Sequence, residues 1–263
     1  MDVAGRIASL WRHPVKGFTP ERLAGATLVA GGYFPCDRIY AVEDGPSGFD
    51  PAAPKWVPKQ RFTVLAKIAE VARARTAYDE TSGVLTALAD GRPAFSAALT
   101  AASGRKAFAD WLEGFLGEAA NGPLKVVEAP GHRFTDHPKG FVSIINLASV
   151  QDLEARIGRP VDPLRFRANL YVEGWPAWIE NETPAETEIR LGPVRARLFS
   201  PIVRCVATHV DPATGERDID LVPALHEHYG HLHCGIYVSV VEGGTIEQGD
   251  EAELISANAK AGA

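Results

Sequence analysis

Turn-forming residues punctuate this chain so closely that few of its apolar stretches can grow beyond a short strand. There are 25 glycines and 19 prolines in 263 residues, and these two residue types are the strongest local breakers of regular structure. Between them lie runs with strand character: AGRIASLWR (4–12), ATLVA (26–30), LKVVE (124–128), RFRANLYVE (165–173), and the pair 187–191 and 194–199. The turns are marked by Asp79-Glu80-Thr81-Ser82-Gly83, Asp90-Gly91, Gly192-Pro193, Gly243-Gly244 and Gly249-Asp250, which are hairpin signals. Only two segments follow the helical period. In 104–116 the apolar positions Phe108, Trp111, Leu112, Phe115 and Leu116 fall at helical spacing, with Ser103 as the expected N-cap and Gly117 as the stop. The second opens at Ser149-Val150-Gln151-Asp152, a capping-box-like start, carries Val150, Leu153 and Ile157, and stops at Gly158. The expectation is a mainly β protein with a few helices (α+β), built as barrels rather than as a parallel sheet.

The length suits one large or two modest domains. The break Asn121-Gly122-Pro123 is the best boundary and divides the chain into segments 1–118 and 119–258. Charged residues make up 23% and the formal net charge is −6, so the overall field attracts neither nucleic acid nor an anionic membrane. An anionic ligand has to be held by local arginines and lysines. The three cysteines, Cys36, Cys205 and Cys234, are odd in number and widely spaced, which fits a reducing compartment. No signal peptide is evident and no apolar run approaches the roughly 20 residues of a membrane span. A cytoplasmic protein is expected.

Candidate chemistry centres on FSPIVRCVATHVDPATGERD (199–218). Arg204 precedes Cys205, and a neighbouring cation favours the thiolate, which is either a nucleophile or a soft metal ligand. The alternative is a packed core cysteine. Lys16 sits on a short loop after the first strand, and Arg38 leads into the apolar IYAVED. In the strand expected at 165–173, Arg165, Arg167 and Asn169 share one face, which is either an anion cradle or a solvated surface. Four histidines and Cys234 in ALHEHYGHLHC (224–234) match no closed zinc site, so this segment reads as structural.

Taken together, several stretches resemble the MOSC family, the domain shared by molybdenum cofactor sulfurases and amidoxime-reducing molybdenum enzymes. IASLWRHPVKG, CDRIYAVED and Lys59-Gln60-Arg61 before VLAKI are similar to that family's N-terminal β-barrel domain. FVSIINLASVQDL, RFRANLYVEGWPAWIENE, RCVATHVDPATG and GIYVSVVEGGTIEQGDE resemble the MOSC β-barrel domain itself. RFRxN followed by RCxxTxVDPxTG is the specific part of the match.

The resemblance implies a protein that binds the molybdenum cofactor (molybdopterin) between its two halves. Cys205 would be the catalytic thiolate and protein ligand to the metal. Lys16, Arg38, Asn146, Arg167, Asn169 and Arg204 would be the cofactor-binding residues. The implied reaction is reduction of small N-hydroxylated or N-oxygenated substrates with electrons from a separate ferredoxin, flavodoxin or cytochrome-type donor. The different-class alternative is a sulfur-carrier or cofactor-delivery protein working through a Cys205 persulfide. Pyridoxal phosphate binding is suggested for the wider family, but no lysine here argues for it. Two positions depart from the family pattern: Gly17 stands where PVKS has serine, and Asn146 stands at the serine before the second helix.

Overall fold

The computed structural model describes residues 2–255; residues 256–258 of the expected second segment lie outside that range. Seven strands close on themselves in the order Leu170–Glu173, Val142–Asn146, His233–Glu242, Val194–Val203, Glu188–Leu191, Glu251–Ile255, Val3–Arg12 and back to Leu170–Glu173. All these pairs are antiparallel except Leu170–Glu173 with Val142–Asn146, which need a crossover and receive it from the helix Leu147–Ile157. The alternation expected of a barrel strand is plain in Val194, Ala196 and Leu198, which are fully buried, while Arg195 and Arg197 point outward. Ile7, Ile144, Val172, Ile189, Ile236 and Val238 complete the interior with them.

The barrel is not assembled from the second half of the chain alone. Its closing strand is the first one, Val3–Arg12, which pairs with both Leu170–Glu173 and Glu251–Ile255. Conversely, Leu124–Val127 leaves the barrel and pairs with Ala41–Asp44. These exchanges stitch the halves together. The rest of the first half is a three-stranded antiparallel sheet, Arg75–Asp79, Val84–Leu88 and Phe95–Ala98. The helix Ala102–Leu116 belongs to the same unit and buries Phe108, Trp111, Leu112 and Leu116 in a core with Tyr40, Leu85 and Leu99. A second helical layer, Leu147–Ile157 and Leu221–Tyr229, covers one outer face of the barrel through Val150, Leu153, Leu221 and Leu225. Among the described residues no helix is long and apolar enough to cross a membrane.

Four local expectations change. Ser103 lies inside the first helix, whose cap position is Ala101 without a side-chain bond. The second helix starts at Leu147 and is capped by Asn146 Oδ1, which accepts from Ala148 N–H at 3.1 Å. Ser149 instead bonds Glu180 at 2.7 Å. The stretch 165–173 is not one strand: Pro163–Phe166 is a 3-10 turn, Arg167 takes φ +53°, and pairing starts at Leu170. Finally, Gly244–Glu247 does not fold back on the preceding strand but pairs with Gly25–Leu28. At Ser149, Arg167 and Gly244–Glu247 a tertiary partner prevailed over the local signal.

Candidate functional site

Where the first strand runs out of the barrel, the chain turns through His13-Pro14 and delivers Lys16 to the floor of a cleft. The cleft, a cavity of about 380 Å³, lies between the barrel and the first half of the chain. Of the residues expected at the site, Lys16, Arg38, Arg167, Asn169, Arg204 and Cys205 all line it. Four separate segments converge there, and no single stretch could have built it.

One end is an anion site in waiting. Arg38 and Arg167 both occupy the left-handed region, with φ +51° and +53°, uncommon for side chains of this size and a mark of functional constraint. Arg38 is held from both sides: Nη1 bonds Asp37, and Nη2 donates to the Arg167 carbonyl at 2.9 Å. Burial works to lower its pKa, but Asp37 outweighs this and keeps the guanidinium above its usual value. Asp37 is correspondingly held well below the carboxylate range: burial would raise it, and Arg38 and His13 reverse that. Behind them His13 is wholly buried. Burial first, then the cations Arg167 and Arg38, push its pKa down to about 3, so it stays neutral. Arg167 has no such anchor. Its Nη2 is buried without a partner, and burial together with Arg38 pushes its pKa down to about 10. A buried guanidinium N–H left without an acceptor is costly unless a ligand supplies one.

The other end holds the thiol. Cys205 is half-buried and opens the short turn Val206–His209, its carbonyl accepting from Thr208 N and Oγ1, each at 3.0 Å. The cation beside its sulfur is not Arg204. Side chains of successive residues in extended backbone diverge, and Arg204 instead donates Nε to the Cys234 carbonyl at 2.7 Å and Nη1 to the Phe166 carbonyl at 2.9 Å. Its guanidinium also lies over the Phe166 ring at 5.3 Å. Arg204 therefore braces the wall. Lys59 takes the role expected of Arg204, with Nζ 3.3 Å from Cys205 Sγ and 2.9 Å from Asp136 Oδ2. Burial works against the Lys59 ammonium, but Asp136 and then Cys205 prevail and hold its pKa above lysine's usual value. Lys16, itself buried, reaches the other oxygen, Asp136 Oδ1, at 2.6 Å and the Phe134 carbonyl at 2.7 Å. The result is a row of alternating charge, Lys16, Asp136 and Lys59, that ends at the Cys205 sulfur. Asp136 lines the cleft and faces its open space, with 45% of its side chain accessible. Burial alone would raise its pKa; the two ammoniums pull it well below the usual range.

The remaining expected residues divide. Asn169 lies on the wall but spends its side chain on structure: Oδ1 accepts from Ser143 N at 3.1 Å and Oγ at 2.9 Å. Asn146 is not in the cavity. It is fully buried, caps its helix, and donates Nδ2 to the Pro176 carbonyl at 2.8 Å and to Glu180 Oε2 at 2.9 Å, so the structure places it apart from the other expected cofactor-binding residues. Arg165, expected on the same face as Arg167, is buried and committed to Asp211 at 3.0 Å and Asp218 at 2.7 Å. That pair joins the RFR motif to the VDP motif and fixes the loop carrying Cys205. Gly17 has φ +91°, and a Cβ there would lie 2.7 Å from the Thr63 carbonyl oxygen, which explains the glycine at the family's serine position. Cys234 is fully buried and its thiol is pushed up to about 12 by burial. Lys59 and Asp136 were not among the expected site residues: Lys59 opens the short turn Lys59–Arg61, noted only for its family likeness, and Asp136 sits in a polar loop with no local mark of function.

Sequence profiles place this geometry. The profile described as MOSC domain matches residues 131–253, and that described as MOSC N-terminal beta barrel domain matches 4–119. Mitochondrial amidoxime-reducing component 1 of Mus musculus is 29% identical over 124 residues, 43% of this chain and 36% of the mouse protein. Molybdenum cofactor sulfurase of Caenorhabditis elegans is 31% identical over 137 residues, 49% of this chain and 18% of the worm protein. The aligned parts thus span only about a third and a fifth of those relatives. The crystal structure of the YuaD protein from Bacillus subtilis superposes with a TM-score of 0.46 at 13% identity, over 96% of each chain. The two profile matches cover both halves of the chain in order, and the protein belongs to the MOSC family, carrying a MOSC domain behind that family's N-terminal β-barrel domain.

Proposed function

We propose that this protein binds the molybdenum cofactor in the cleft and reduces small N-hydroxylated or N-oxygenated compounds, taking electrons from a separate donor protein. The observation that carries this reading is the Arg167 guanidinium, whose Nη2 is buried without a partner, in the same cavity as the Cys205 thiol. A phosphate-bearing cofactor with a thiophilic metal asks for this donor set: an arginine fork for the phosphate and a soft thiolate for the metal. Arg167 would hold the phosphate, Arg38 beside it would add a second fixed charge, and Cys205 would be the metal's protein ligand. When bound, the cofactor supplies the two-electron chemistry at the substrate's N–O bond.

The chain's own residues supply the setting. Lys59 keeps the sulfur beside a positive charge, and Asp136 holds Lys59 and Lys16 in place. Tyr237 keeps its O–H proton at the wall, because burial and then Asp136 raise its pKa. Reduction of R–NH–OH to R–NH2 and water consumes two electrons and two protons, the electrons arriving from the donor and the protons from solvent reaching the open cleft. A second reading is favoured by the Lys59–Cys205 contact at 3.3 Å: an ammonium stabilises an anionic sulfur as thiolate or as persulfide, so sulfur transfer fits as well, as in the sulfurase relative's name.

Expression with an intact molybdenum cofactor pathway separates the two. The reductase reading expects pterin and molybdenum in the purified protein. Cys205→Ser should lose the metal and the reduction of an N-hydroxylated substrate by a chemical reductant, while retaining fold and pterin, since the substitution exchanges a soft thiolate for a hard hydroxyl. Full reductase activity in Cys205→Ser would sink it. A persulfide mass increment at Cys205 after incubation with a cysteine desulfurase, in protein devoid of molybdenum, would establish the carrier instead.

A further inference from the structure

One buried acid lies outside the cleft, and neither the anion end nor the thiol accounts for it. Glu180 has no exposed surface and stands in the short helix Ile179–Glu182, which packs against the strand His233–Glu242. Its hydrogen bonds fix its protonation state. Ser149 Oγ accepts from Trp178 N–H at 2.8 Å, so its one hydroxyl hydrogen goes to Glu180 Oε1 at 2.7 Å. Asn146 Oδ1 accepts from Ala148 N–H at 3.1 Å, which orients the amide and directs Nδ2 to Glu180 Oε2 at 2.9 Å. The backbone N–H of Gly235 also faces the carboxyl, and with Asn146 and Ser149 it opposes the rise in pKa that burial causes. Each of these partners is a donor, and only the ionised form accepts at both oxygens. A buried carboxylate needs a compensating charge, yet these partners of Glu180 are all neutral.

The compensating charge stands one peptide away. Gly235 N–H and the Cys234 carbonyl belong to the same peptide group, and that carbonyl accepts Arg204 Nε at 2.7 Å and Nη2 as well. A carboxylate faces the N–H end of this peptide dipole and a guanidinium its C=O end. The Cys234 side chain feels both charges: burial pushes its thiol up to about 12, Arg204 pulls against this and Glu180 adds to it. Glycine is needed at 235, because φ is +76° and a Cβ would lie 2.4 Å from the Ile144 carbonyl oxygen and 3.2 Å from Arg204 Nη2. Arg204 then carries the constraint into the cleft. Its Nη1 holds the Phe166 carbonyl at 2.9 Å, while Arg38 Nη2 holds the Arg167 carbonyl at 2.9 Å. A guanidinium thus clamps each of the two peptides that flank Arg167, which supports the left-handed φ of +53° at that residue.

We infer that Glu180 is a positioning residue for the anion end of the cleft, acting through the 234–235 peptide and Arg204 on the backbone of Arg167. The inference rests on the reading of Arg167 as the residue that holds an anion. Glu180 touches no ligand; its charge orients the peptide, the peptide orients Arg204, and Arg204 sets the direction in which the Arg167 guanidinium leaves the chain. Loss of a single donor to the carboxylate, as in Asn146→Ala, leaves the charge and the Gly235 contact in place. Loss of the charge removes the first link.

The test is calorimetric titration of the full-length chain with inorganic phosphate, in wild type and in Glu180→Gln, which keeps the shape of the side chain without its charge. The variant should bind phosphate roughly three- to tenfold more weakly, with circular dichroism checking its fold. In an Arg204→Gln background the same substitution should cost nothing further, because the relay is already broken; a role in stability alone would act equally in both backgrounds. NMR adds a signature: the Arg204 Nε–H signal should shift in Glu180→Gln although a peptide separates the two side chains. Should Glu180→Gln not fold, Arg204→Gln reads the relay from its other end, where the side-chain amide of Asn146, bonded to Glu180, should shift. Unchanged phosphate affinity in folded Glu180→Gln, an equal loss in both backgrounds, or an Asn146 signal unmoved by Arg204→Gln would overturn the inference and leave the anion site standing. Wild type that binds no phosphate would overturn the anion site, and the inference with it.

Discussion

Arg167 should cost the unloaded protein stability and return it on binding, so Arg167→Met is expected to move two observables in opposite directions. The guanidinium is forced from a usual pKa of 12.5 to about 10 by burial and by Arg38. At 1.36 kcal/mol per unit, keeping it charged in the fold costs on the order of 3 kcal/mol. Methionine has similar length, carries no charge and keeps the wall filled. The carbonyl that Arg38 uses belongs to the backbone and survives the change. The variant without ligand should therefore be more stable, with a melting temperature raised by up to roughly 5–10 °C for a chain of this size. Anion binding should fall at the same time, because a charge-assisted bidentate partner worth about 1.5–3 kcal/mol is gone, a loss of roughly ten- to a hundredfold in affinity. The assay is thermal unfolding across a phosphate titration. Wild type should gain stability with phosphate by linkage, and Arg167→Met should start higher and respond far less. A variant less stable than wild type in phosphate-free buffer, or one that keeps the full phosphate response, would refute the reasoning.

Gly17→Ser restores the family's usual residue yet should destabilise by roughly 1–3 kcal/mol without improving phosphate affinity, because φ +91° and the Thr63 carbonyl at 2.7 Å oppose any Cβ; a chemical denaturation midpoint together with the phosphate titration checks both halves. Asn146→Ala should cost roughly 2–4 kcal/mol, from the lost cap and the bonds to Glu180 and Pro176, and leave phosphate binding unchanged; weakened binding in folded Asn146→Ala would return this residue to the site. Asp37 is held below its usual value of 3.8, so its contribution is present above that pH and is lost as pH falls through and below it. Asp37→Asn should be less stable than wild type at neutral pH and lose less on acidification from pH 5 to pH 3, as read by urea midpoints; parallel pH curves would contradict the pairing with Arg38.

The architecture was legible because barrel strands and amphipathic helices write themselves locally. Val194, Ala196 and Leu198 alternate with arginines, and Phe108, Trp111, Leu112 and Leu116 repeat at helical spacing, whatever the rest of the chain does. Cys205 and Arg167 were also within reach, since RFRxN and RCxxTxVDPxTG are dense local motifs, and Arg38 stood in the family-like stretch CDRIYAVED. Their density has a cause in the structure: Arg165 of the first motif is the partner of Asp211 of the second at 3.0 Å.

What tertiary structure alone decided is how these pieces face one another. An extended backbone turns Arg204 away from the thiol next to it and onto the Cys234 and Phe166 carbonyls, while Lys59, 146 positions earlier, arrives at 3.3 Å. Asn146 and Asn169 are polar residues in matching stretches, yet Glu180 claims the first for the core and Ser143 claims most of the second. Asp136 carries no local signal and acquires its role only where the buried ammonium of Lys16 and the half-buried one of Lys59 meet it. Sequence determined the strands, the helices and the residue types on offer, because these follow from periodicity and backbone preference over a few residues. Charge pairing and desolvation depend on distances between segments far apart in the chain, so only the closed fold could assign a partner to each buried charge and leave Arg167 without one.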